Sequence, residues 1–137
     1  PQRKFGKGEV LDHGKSIEAA GLVVSAVPAY NVSPERLGYH PKERKDNGYV
    51  IEAGATRIYV AGDTEPIPEM ASLRNIDIAF LPMNLPFTMT PSQVAAAART
   101  IRPKILYPYH FGSTNPKELV DLLKDEKDIE VRLRKLN

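Results

Sequence analysis

Three apolar stretches of this sequence each end in a polar residue that could take part in chemistry. The first stretch leads to Asp63, the second to Asn84 and the third to His110. Short apolar runs are typical of buried strands, and the loops that leave strand ends in α/β folds carry binding and catalytic groups. We therefore expect the three side chains to meet on one rim of a sheet. Two of them, a carboxylate and an imidazole, are ligand types for divalent metals.

The local sequence around Asp63 and His110 permits a functional and a structural interpretation of each. Asp63 lies between Gly62 and Thr64, so the chain can bend there while the carboxylate projects from the sheet edge to hold a metal or orient a histidine. Asp63 could instead cap a turn through its own backbone. His110 has aromatic neighbours and could be a hydrogen-bonded core histidine. Their equivalent positions at strand ends favour a shared site.

Length and composition limit the class of protein. The 137 residues, 42% of them hydrophobic, are enough for one domain. With 19 basic and 17 acidic residues the net charge is +2, so neither a nucleic-acid nor a membrane partner is predicted. The absence of cysteine excludes disulfides, thiolate zinc sites and cysteine nucleophiles. No apolar run approaches the roughly 18 residues of a membrane span, and no signal peptide is evident, so we expect a cytoplasmic protein.

The hydrophobic pattern predicts a strand-rich first part followed by alternating strands and helices. Residues 1–16, including His13 as an exposed loop residue, are predicted to be irregular, and the domain is expected over residues 17–137. Pro28 is expected to stop the second strand, and the polar loop from Ala29 to Asp46 is long enough to suggest a functional role. Strands are predicted at residues 17–20, 22–27, 48–53, 56–61, 76–81, 105–109 and 129–133.

Capping signals define the helices. Thr90-Pro91-Ser92-Gln93 combines a capping threonine, a proline in the first turn and a glutamine three residues on, which predicts a helix to about Ile101. A second helix is predicted after Asn115-Pro116, and a short one between Pro66 and Leu73. The order of elements predicts an α/β (α+β) fold, a mixed sheet with helices on one face.

Several short motifs, taken together, resemble one known family. Ala61-Gly62-Asp63-Thr64 and Tyr107-Pro108-Tyr109-His110-Phe111-Gly112 look like the fourth and fifth metal motifs of the metallo-β-lactamase-fold hydrolases. The similarity extends from about Ile17 to the end and is closest to the prokaryotic metal-dependent hydrolases near the ascorbate-phosphate lactonase type. Further matching segments are Val27-Pro28-Ala29-Tyr30-Asn31, Tyr39-His40-Pro41-Lys42, Asn47-Gly48-Tyr49-Val50 and Phe80-Leu81-Pro82-Met83-Asn84.

The resemblance implies a metal site and a reaction. Asp63 would bridge two metal ions, typically zinc, and His110 would bind the second, which makes these two the predicted catalytic residues. The reaction would be hydrolysis by metal-activated water. The third-motif histidine of the family is replaced by Asn31, and His40 could move in from the long loop to substitute, so both are further metal-ligand candidates.

The surroundings of the site and its substrate are less constrained by the sequence. Asn84, Tyr30 and Thr64 are predicted neighbours of a small-molecule substrate. Lys42 and Arg44 could meet an anionic substrate, or could be solvated loop charges. Lactones, phosphoesters and amides are all hydrolysed on this fold, and the fold does not select among them.

The family's His-x-His-x-Asp-His motif does not occur in this sequence, whose histidines are His13, His40 and His110. The resemblance therefore implies the C-terminal half of an αββα sandwich, a partial domain that we expect to be inactive by itself. Its exposed sheet would be covered by the N-terminal half of the same fold or by a second copy of the chain. The alternative is a non-catalytic module that uses the same scaffold to bind a partner.

Overall fold

A computed structural model describes residue 8 and residues 10–136. Among these residues, two α-helices, α1 (Pro91–Ile101) and α2 (Lys117–Leu123), and two 3-10 helices, Lys42–Arg44 and Pro68–Ser72, accompany one sheet of seven strands. Neither α-helix in this described part is long and apolar enough to cross a bilayer. The strands are β1 (Ser16–Ala19), β2 (Leu22–Ala29), β3 (Asp46–Ala53), β4 (Thr56–Val60), β5 (Ile78–Pro82), β6 (Ile105–Tyr109) and β7 (Glu130–Val131).

The strands lie in the sheet in their sequence order, and the sheet is mixed as predicted. The pairs from β1 to β4 are antiparallel because short turns or a loop on the same edge connect them. The pairs from β4 to β7 are parallel, since each connection crosses back over the sheet through helical structure. Helix α1 contacts both α2 and the 3-10 helix Pro68–Ser72, so these crossovers cover one face.

Two sequence signals produce the local structures that they predicted. The turn between β1 and β2 has left-handed backbone at Ala20 and Gly21, which suits a two-residue hairpin turn. At the start of α1, the Thr90 hydroxyl accepts a hydrogen bond from the Gln93 N–H, and the Gln93 carboxamide oxygen accepts one from the Thr90 N–H. These two bonds form the predicted capping box, which satisfies backbone donors that a helix start leaves free.

The structure corrects several boundaries. Pro28 does not stop β2, which continues to Ala29. A proline is tolerated there because the pairing of β2 with β1 ends at Ser25, so β1 does not need the N–H that proline lacks. The last strand is only Glu130–Val131, and the expected short helix is a 3-10 helix in a proline-rich segment. His13 is half-buried rather than exposed, and its Nε2 lies 3.0 Å from the Asp46 carbonyl oxygen.

The core lies between the sheet and the helices. Tyr59, Ala79 and Leu106 are paired neighbours on β4, β5 and β6, and all three are fully buried. They pack in one cluster with apolar residues of the two helices, such as Val94 and Leu119. Burial of this surface is the main favourable contribution to folding, at about 25 cal/mol per Å² of apolar area.

The other side of the sheet carries apolar side chains that remain partly exposed. The strand register aligns them in two rows across the central strands, and the Phe80 and Tyr107 rings stack with centroids 5.1 Å apart. We call this surface the open face. Its first row is Val24, Ile51, Ile58, Ile78 and Ile105, and its second is Tyr49, Val60, Phe80 and Tyr107.

One close approach in the sheet supports the segment that leads to Asp63. Gly48 faces the backbone of Ala61 so closely that an added β-carbon would overlap the Ala61 carbonyl oxygen. We predict that Gly48→Ala lowers the free energy of unfolding by about 1–3 kcal/mol, the usual cost of overpacking. Urea unfolding followed by circular dichroism measures this change.

The matched control is Gly38→Ala, because an added β-carbon at Gly38 meets only open space. We expect the control to change the unfolding free energy by no more than about 0.5 kcal/mol. Equal effects of the two substitutions would contradict the explanation by close approach.

Candidate metal centre

Asp63, Asn84 and His110 follow the carboxyl ends of β4, β5 and β6, three neighbouring parallel strands. Because parallel strands end at the same edge, their side chains meet there. His110 Nδ1 lies 3.0 Å from Asp63 Oδ1, and Asn84 Nδ2 lies 3.3 Å from His110 Nε2. The structure thus brings together the three residues that the sequence placed on one rim, although Asp63 and His110 are 47 positions apart.

The backbone is left-handed at Gly62, just before Asp63, and at His110 itself. Gly62 has a φ of +70°, and an added β-carbon would lie 2.7 Å from the Asn47 carbonyl oxygen, so only glycine fits before Asp63. His110 itself has a φ of +48°, an uncommon value for a residue with a side chain. The His110 N–H donates to the Leu136 carbonyl oxygen at 2.8 Å, which helps to hold this conformation.

A second imidazole reaches the same carboxylate from the long loop between β2 and β3. His40 Nε2 lies 3.8 Å from Asp63 Oδ2. The loop is closed beside it, because the Asn31 N–H donates to the His40 carbonyl oxygen at 2.8 Å. Each oxygen of the Asp63 carboxylate therefore faces a different histidine, His110 on one side and His40 on the other.

The other ring nitrogen of His40 has its own partners. Arg44 Nη2 lies 2.9 Å from His40 Nδ1, and Asp46 Oδ2 lies 3.9 Å from the same nitrogen. A guanidinium can only donate, so Nδ1 accepts and Nε2 carries the ring proton that faces Asp63. Arg44 also forms an ion pair with Asp46 at 2.5 Å.

Two predicted site residues are buried and have structural contacts. Asn31 is 1% exposed, and its amide donates to the carbonyl oxygens of Arg36 and Phe87, so it ties two loops together. Thr64 is 0% exposed, and its hydroxyl bonds to the backbone of Tyr30. The Asn31 carboxamide oxygen, the atom through which an asparagine would bind a metal, is buried and has no hydrogen-bond partner among the described residues. The metal-ligand role of Asn31 and the substrate contact of Thr64 therefore stay predictions.

Tyr30 is also buried, and its hydroxyl donates to Glu69 at 2.9 Å. Burial raises the pKa of Tyr30 above its usual value, with Lys42 opposing and Glu69 reinforcing this shift. Lys42 lies 3.7 Å from Glu69, and Arg44 is paired with Asp46. Both loop cations are therefore next to carboxylates, which reduces the positive field that they could offer an anionic substrate.

A buried carboxylate that the sequence reasoning missed lies two residues after Asp63. Glu65 is 0% exposed. Its two oxygens accept hydrogen bonds from five donors, which come from the long loop and from α1. The donors are Val32 N at 2.8 Å, Ser33 N and Ser33 Oγ at 2.6 Å each, Arg36 Nη1 at 2.5 Å and Gln93 Nε2 at 2.9 Å. A glutamate within a buried segment was the only sequence signal, since the partners are about 30 positions away.

The residues of the rim fit a metal in chemical type, because imidazole nitrogens and carboxylate oxygens are the usual ligands of zinc in proteins that lack thiolates. Within residues 10–136, however, no three His, Cys, Asp or Glu side chains converge closely enough to hold one ion. The described residues do not by themselves form a complete ligand group for an ion.

Fold and rim together define an α/β protein of the metallo-β-lactamase fold with a carboxylate and two imidazoles at the carboxyl edge of its sheet. The family model described as "Beta-lactamase superfamily domain" matches residues 6–111. The chain belongs to this family.

The relatives of the chain are longer than it is. It is 32% identical over 123 residues to a UPF0173 metal-dependent hydrolase of Thermococcus onnurineus, covering 82% of this chain and 53% of that protein. A relative in Methanopyrus kandleri with the same description is 32% identical over 114 residues, covering 80% of this chain and 50% of that one. The chain thus spans about half the length of these relatives.

Two solved structures are similar to this fold. A protein of Parabacteroides distasonis, assigned as a metal-dependent hydrolase, is 54% identical with a TM-score of 0.93, covering 99% of this chain and 61% of that one. Igni18, a metallo hydrolase of Ignicoccus hospitalis, is 23% identical with a TM-score of 0.77, covering 98% and 61% respectively. The second likeness concerns the fold alone.

The Glu65 network makes a prediction about acid stability. Burial by itself raises the pKa of Glu65, but the hydrogen bonds from Ser33, Arg36 and Gln93 outweigh it and lower the pKa to about 2. The unfolded chain has a glutamate pKa of about 4.3, so the network stabilises the fold above that pH and loses its effect as the pH falls toward 2. We expect Glu65→Gln to be destabilised by about 3 kcal/mol at pH 7, at 1.36 kcal/mol per pKa unit.

Urea titrations at several pH values between 7 and 2.5 measure this difference. The gap between the wild type and Glu65→Gln should stay constant above about pH 5 and shrink below it. A gap that is independent of pH would contradict the assignment.

Proposed function

We propose that this chain carries one part of the metal site of a zinc-dependent hydrolase. The observation that carries the proposal is the Asp63 carboxylate, whose two oxygens face two different imidazoles, His110 at 3.0 Å and His40 at 3.8 Å. A carboxylate that bridges two ions needs one further ligand near each oxygen. We therefore assign Asp63 as a bridging ligand, with His110 and His40 as ligands on either side.

The chemistry of a zinc hydrolase is supplied by the ion, which activates water at neutral pH and polarises the bond to be cleaved. The residues of this chain would hold and orient the site. Asn84 would orient the His110 ring through the contact between its side-chain amide and Nε2. Because a ring that binds an ion through Nδ1 carries its proton on Nε2, the Asn84 amide would have to turn its oxygen, rather than its nitrogen, toward that proton. A partner on the second nitrogen fixes the orientation of a metal-binding imidazole in most zinc sites.

His40 would have to change its protonated nitrogen before it binds an ion. In the described arrangement Arg44 donates to Nδ1, so the proton is on Nε2. Ligation through Nε2 requires the proton on Nδ1, where the Asp46 carboxylate, 3.9 Å away, is the available acceptor. Arg44 is half-exposed and can move aside, which would leave the carboxylate–histidine pair that commonly supports zinc ligands.

The remaining ligands would come from outside the described residues. The alignments cover only about half the length of the relatives described as metal-dependent hydrolases. The open face offers the surface on which an N-terminal half of the same fold, or a second copy of the chain, would pack. A sheet normally buries its apolar side chains on both faces when it lies inside a layered fold.

The substrate that we propose is a small molecule with a hydrolysable bond. Asn84 is the predicted substrate neighbour that remains at the rim, since Tyr30 and Thr64 are buried. Lactones, phosphoesters and amides remain equal candidates, because the fold hosts hydrolysis of all three.

We predict that zinc binds the complete protein, by which we mean this chain together with the proposed segment that supplies the remaining ligands. Asp63→Ala should abolish this binding, because the bridging carboxylate is lost. Isothermal titration calorimetry with zinc chloride measures the affinity. His110→Ala and His40→Ala should each weaken binding by at least tenfold, as expected when one ligand of a site is removed.

Asp77→Asn is the matched control. The Asp77 carboxylate accepts a hydrogen bond from the Arg57 backbone N–H and pairs with Lys104. Asp77 lies just before β5, at the edge of the sheet opposite to Asp63. We expect it to leave the zinc affinity unchanged. Unaltered zinc binding in Asp63→Ala would refute the proposed function.

A non-catalytic binding module is the second candidate, and the open face is the observation that favours it. The face presents two rows of partly exposed apolar side chains across five strands. Apolar patches of this kind mark surfaces that another protein covers. A module would use the face as its binding surface without needing metal.

The open face also makes a prediction for the chain by itself. We expect residues 1–137 to self-associate, and Phe80→Ser to shift the population toward monomer by removing an apolar ring from the centre of the face. Analytical ultracentrifugation measures the distribution. Leu122→Ser is the control, because Leu122 is 40% exposed on α2, away from the sheet. A stable monomer before any substitution would contradict this prediction.

A further inference from the structure

His40 reaches Asp63 from a loop that has little regular structure of its own. Between Ala29 and the 3-10 helix at Lys42, the backbone forms only turns. Backbone hydrogen bonds within it close two consecutive turns, from Arg36 and Leu37 to the Ser33 carbonyl oxygen and from Tyr39 to the Arg36 carbonyl oxygen, and the Asn31 N–H bonds to the His40 carbonyl oxygen. Such a segment needs contacts with the rest of the protein to keep one conformation.

Glu65 accepts four of the hydrogen bonds that join this loop to the rest of the protein. It accepts hydrogen bonds from the backbone N–H groups of Val32 and Ser33, from the Ser33 hydroxyl and from the Arg36 guanidinium. These donors include the residue whose carbonyl closes the first turn. Because Glu65 is fully buried, hydrogen bonds to its charge are stronger than exposed ones and costly to break.

The same short segment carries the metal-site carboxylate. Asp63 and Glu65 are separated only by Thr64, whose hydroxyl accepts the Tyr30 N–H and donates toward the Tyr30 carbonyl oxygen where the loop begins. The Glu65 N–H also donates to the Tyr30 carbonyl oxygen, at 3.1 Å. The loop is therefore fastened directly to the segment that presents Asp63.

On the other side, Glu65 is fixed to α1. The Gln93 carboxamide donates to Glu65 Oε1 at 2.9 Å, while its oxygen caps the helix through the Thr90 N–H. Arg36 Nη1 also reaches this carboxamide oxygen, at 3.2 Å. The carboxylate thus joins the loop, the Asp63 segment and a helix that packs on the core.

We propose that Glu65 is a positioning residue, which holds the loop so that His40 faces Asp63 and can complete one side of the metal site. The inference rests on the proposed function, because it assigns Glu65 an effect on metal binding through His40. In this role Glu65 would neither contact the ion nor take part in the reaction.

The test is a double-mutant cycle on zinc affinity in the complete protein. Glu65→Gln should weaken zinc binding by about tenfold or more in the wild-type background, the usual effect of losing a residue that orients a ligand. In a His40→Ala background the same substitution should cause no further loss. A merely structural role would weaken binding equally in both backgrounds, since it would not act through His40.

Amide hydrogen exchange gives a second readout that does not depend on metal. Exchange at Val32 and Ser33 should accelerate in Glu65→Gln, because both amides lose their charged acceptor. The amides of α2 should not change. Ser33→Ala, which deletes one donor and keeps the carboxylate, is the milder variant if Glu65→Gln does not fold, and it should show the same pattern at smaller amplitude.

The outcomes separate the two proposals. If Asp63→Ala abolishes zinc binding while Glu65→Gln and Ser33→Ala leave it unchanged, the positioning role is wrong and the proposed function stands. Equal losses with and without His40 overturn the positioning role as well. If the wild-type protein does not bind zinc, the proposed function fails, and the inference about Glu65 fails with it.

Discussion

The parallel pairing of β4, β5 and β6 is the constraint on which the candidate site depends. Parallel strands finish at one edge, so Asp63, Asn84 and His110 are neighbours there although long crossovers separate them in sequence. The crossovers are also what give the sheet its buried face, because their helices pack on Tyr59, Ala79 and Leu106. The packing that stabilises the fold and the geometry of the rim therefore have the same origin.

The strand ends supply only part of the rim, because His40 comes from the loop between β2 and β3. Loops reach definite conformations through hydrogen bonds to the scaffold, and here these bonds converge on the buried Glu65. Charge, burial and position near Asp63 combine in one residue. The two carboxylates have different roles because their surroundings differ: Glu65 is enclosed by donors, whereas Asp63 lies at the protein surface between two imidazoles.

The apolar surface of the sheet is divided between a covered face and a partly exposed one. One face of the sheet is covered by helices, and the open face retains two rows of half-buried apolar side chains. The chain aligns with about half the length of the relatives compared above. In the proposed function, one additional segment would supply both a layer over the open face and further metal ligands.

The sequence alone was sufficient for the number and order of the strands, though not for the ends of β2 and β7, for the capping box of α1 and for the convergence of Asp63, Asn84 and His110. These features depend on local patterns: apolar runs, turn residues and the rule that parallel strands end together. The family resemblance was likewise carried by short motifs, such as Ala61-Gly62-Asp63-Thr64.

Only the tertiary structure decided how the long loop is arranged. It buried Asn31 and Thr64, which the sequence had placed beside the site, and it brought His40 to Asp63 and Glu65 to Ser33 and Arg36. The reason is physical: these contacts join residues from about 20 to more than 50 positions apart through side-chain geometry, without any periodic pattern. A loop conformation of this kind is fixed by which distant partners remain available after the core has packed, and that information exists only in three dimensions.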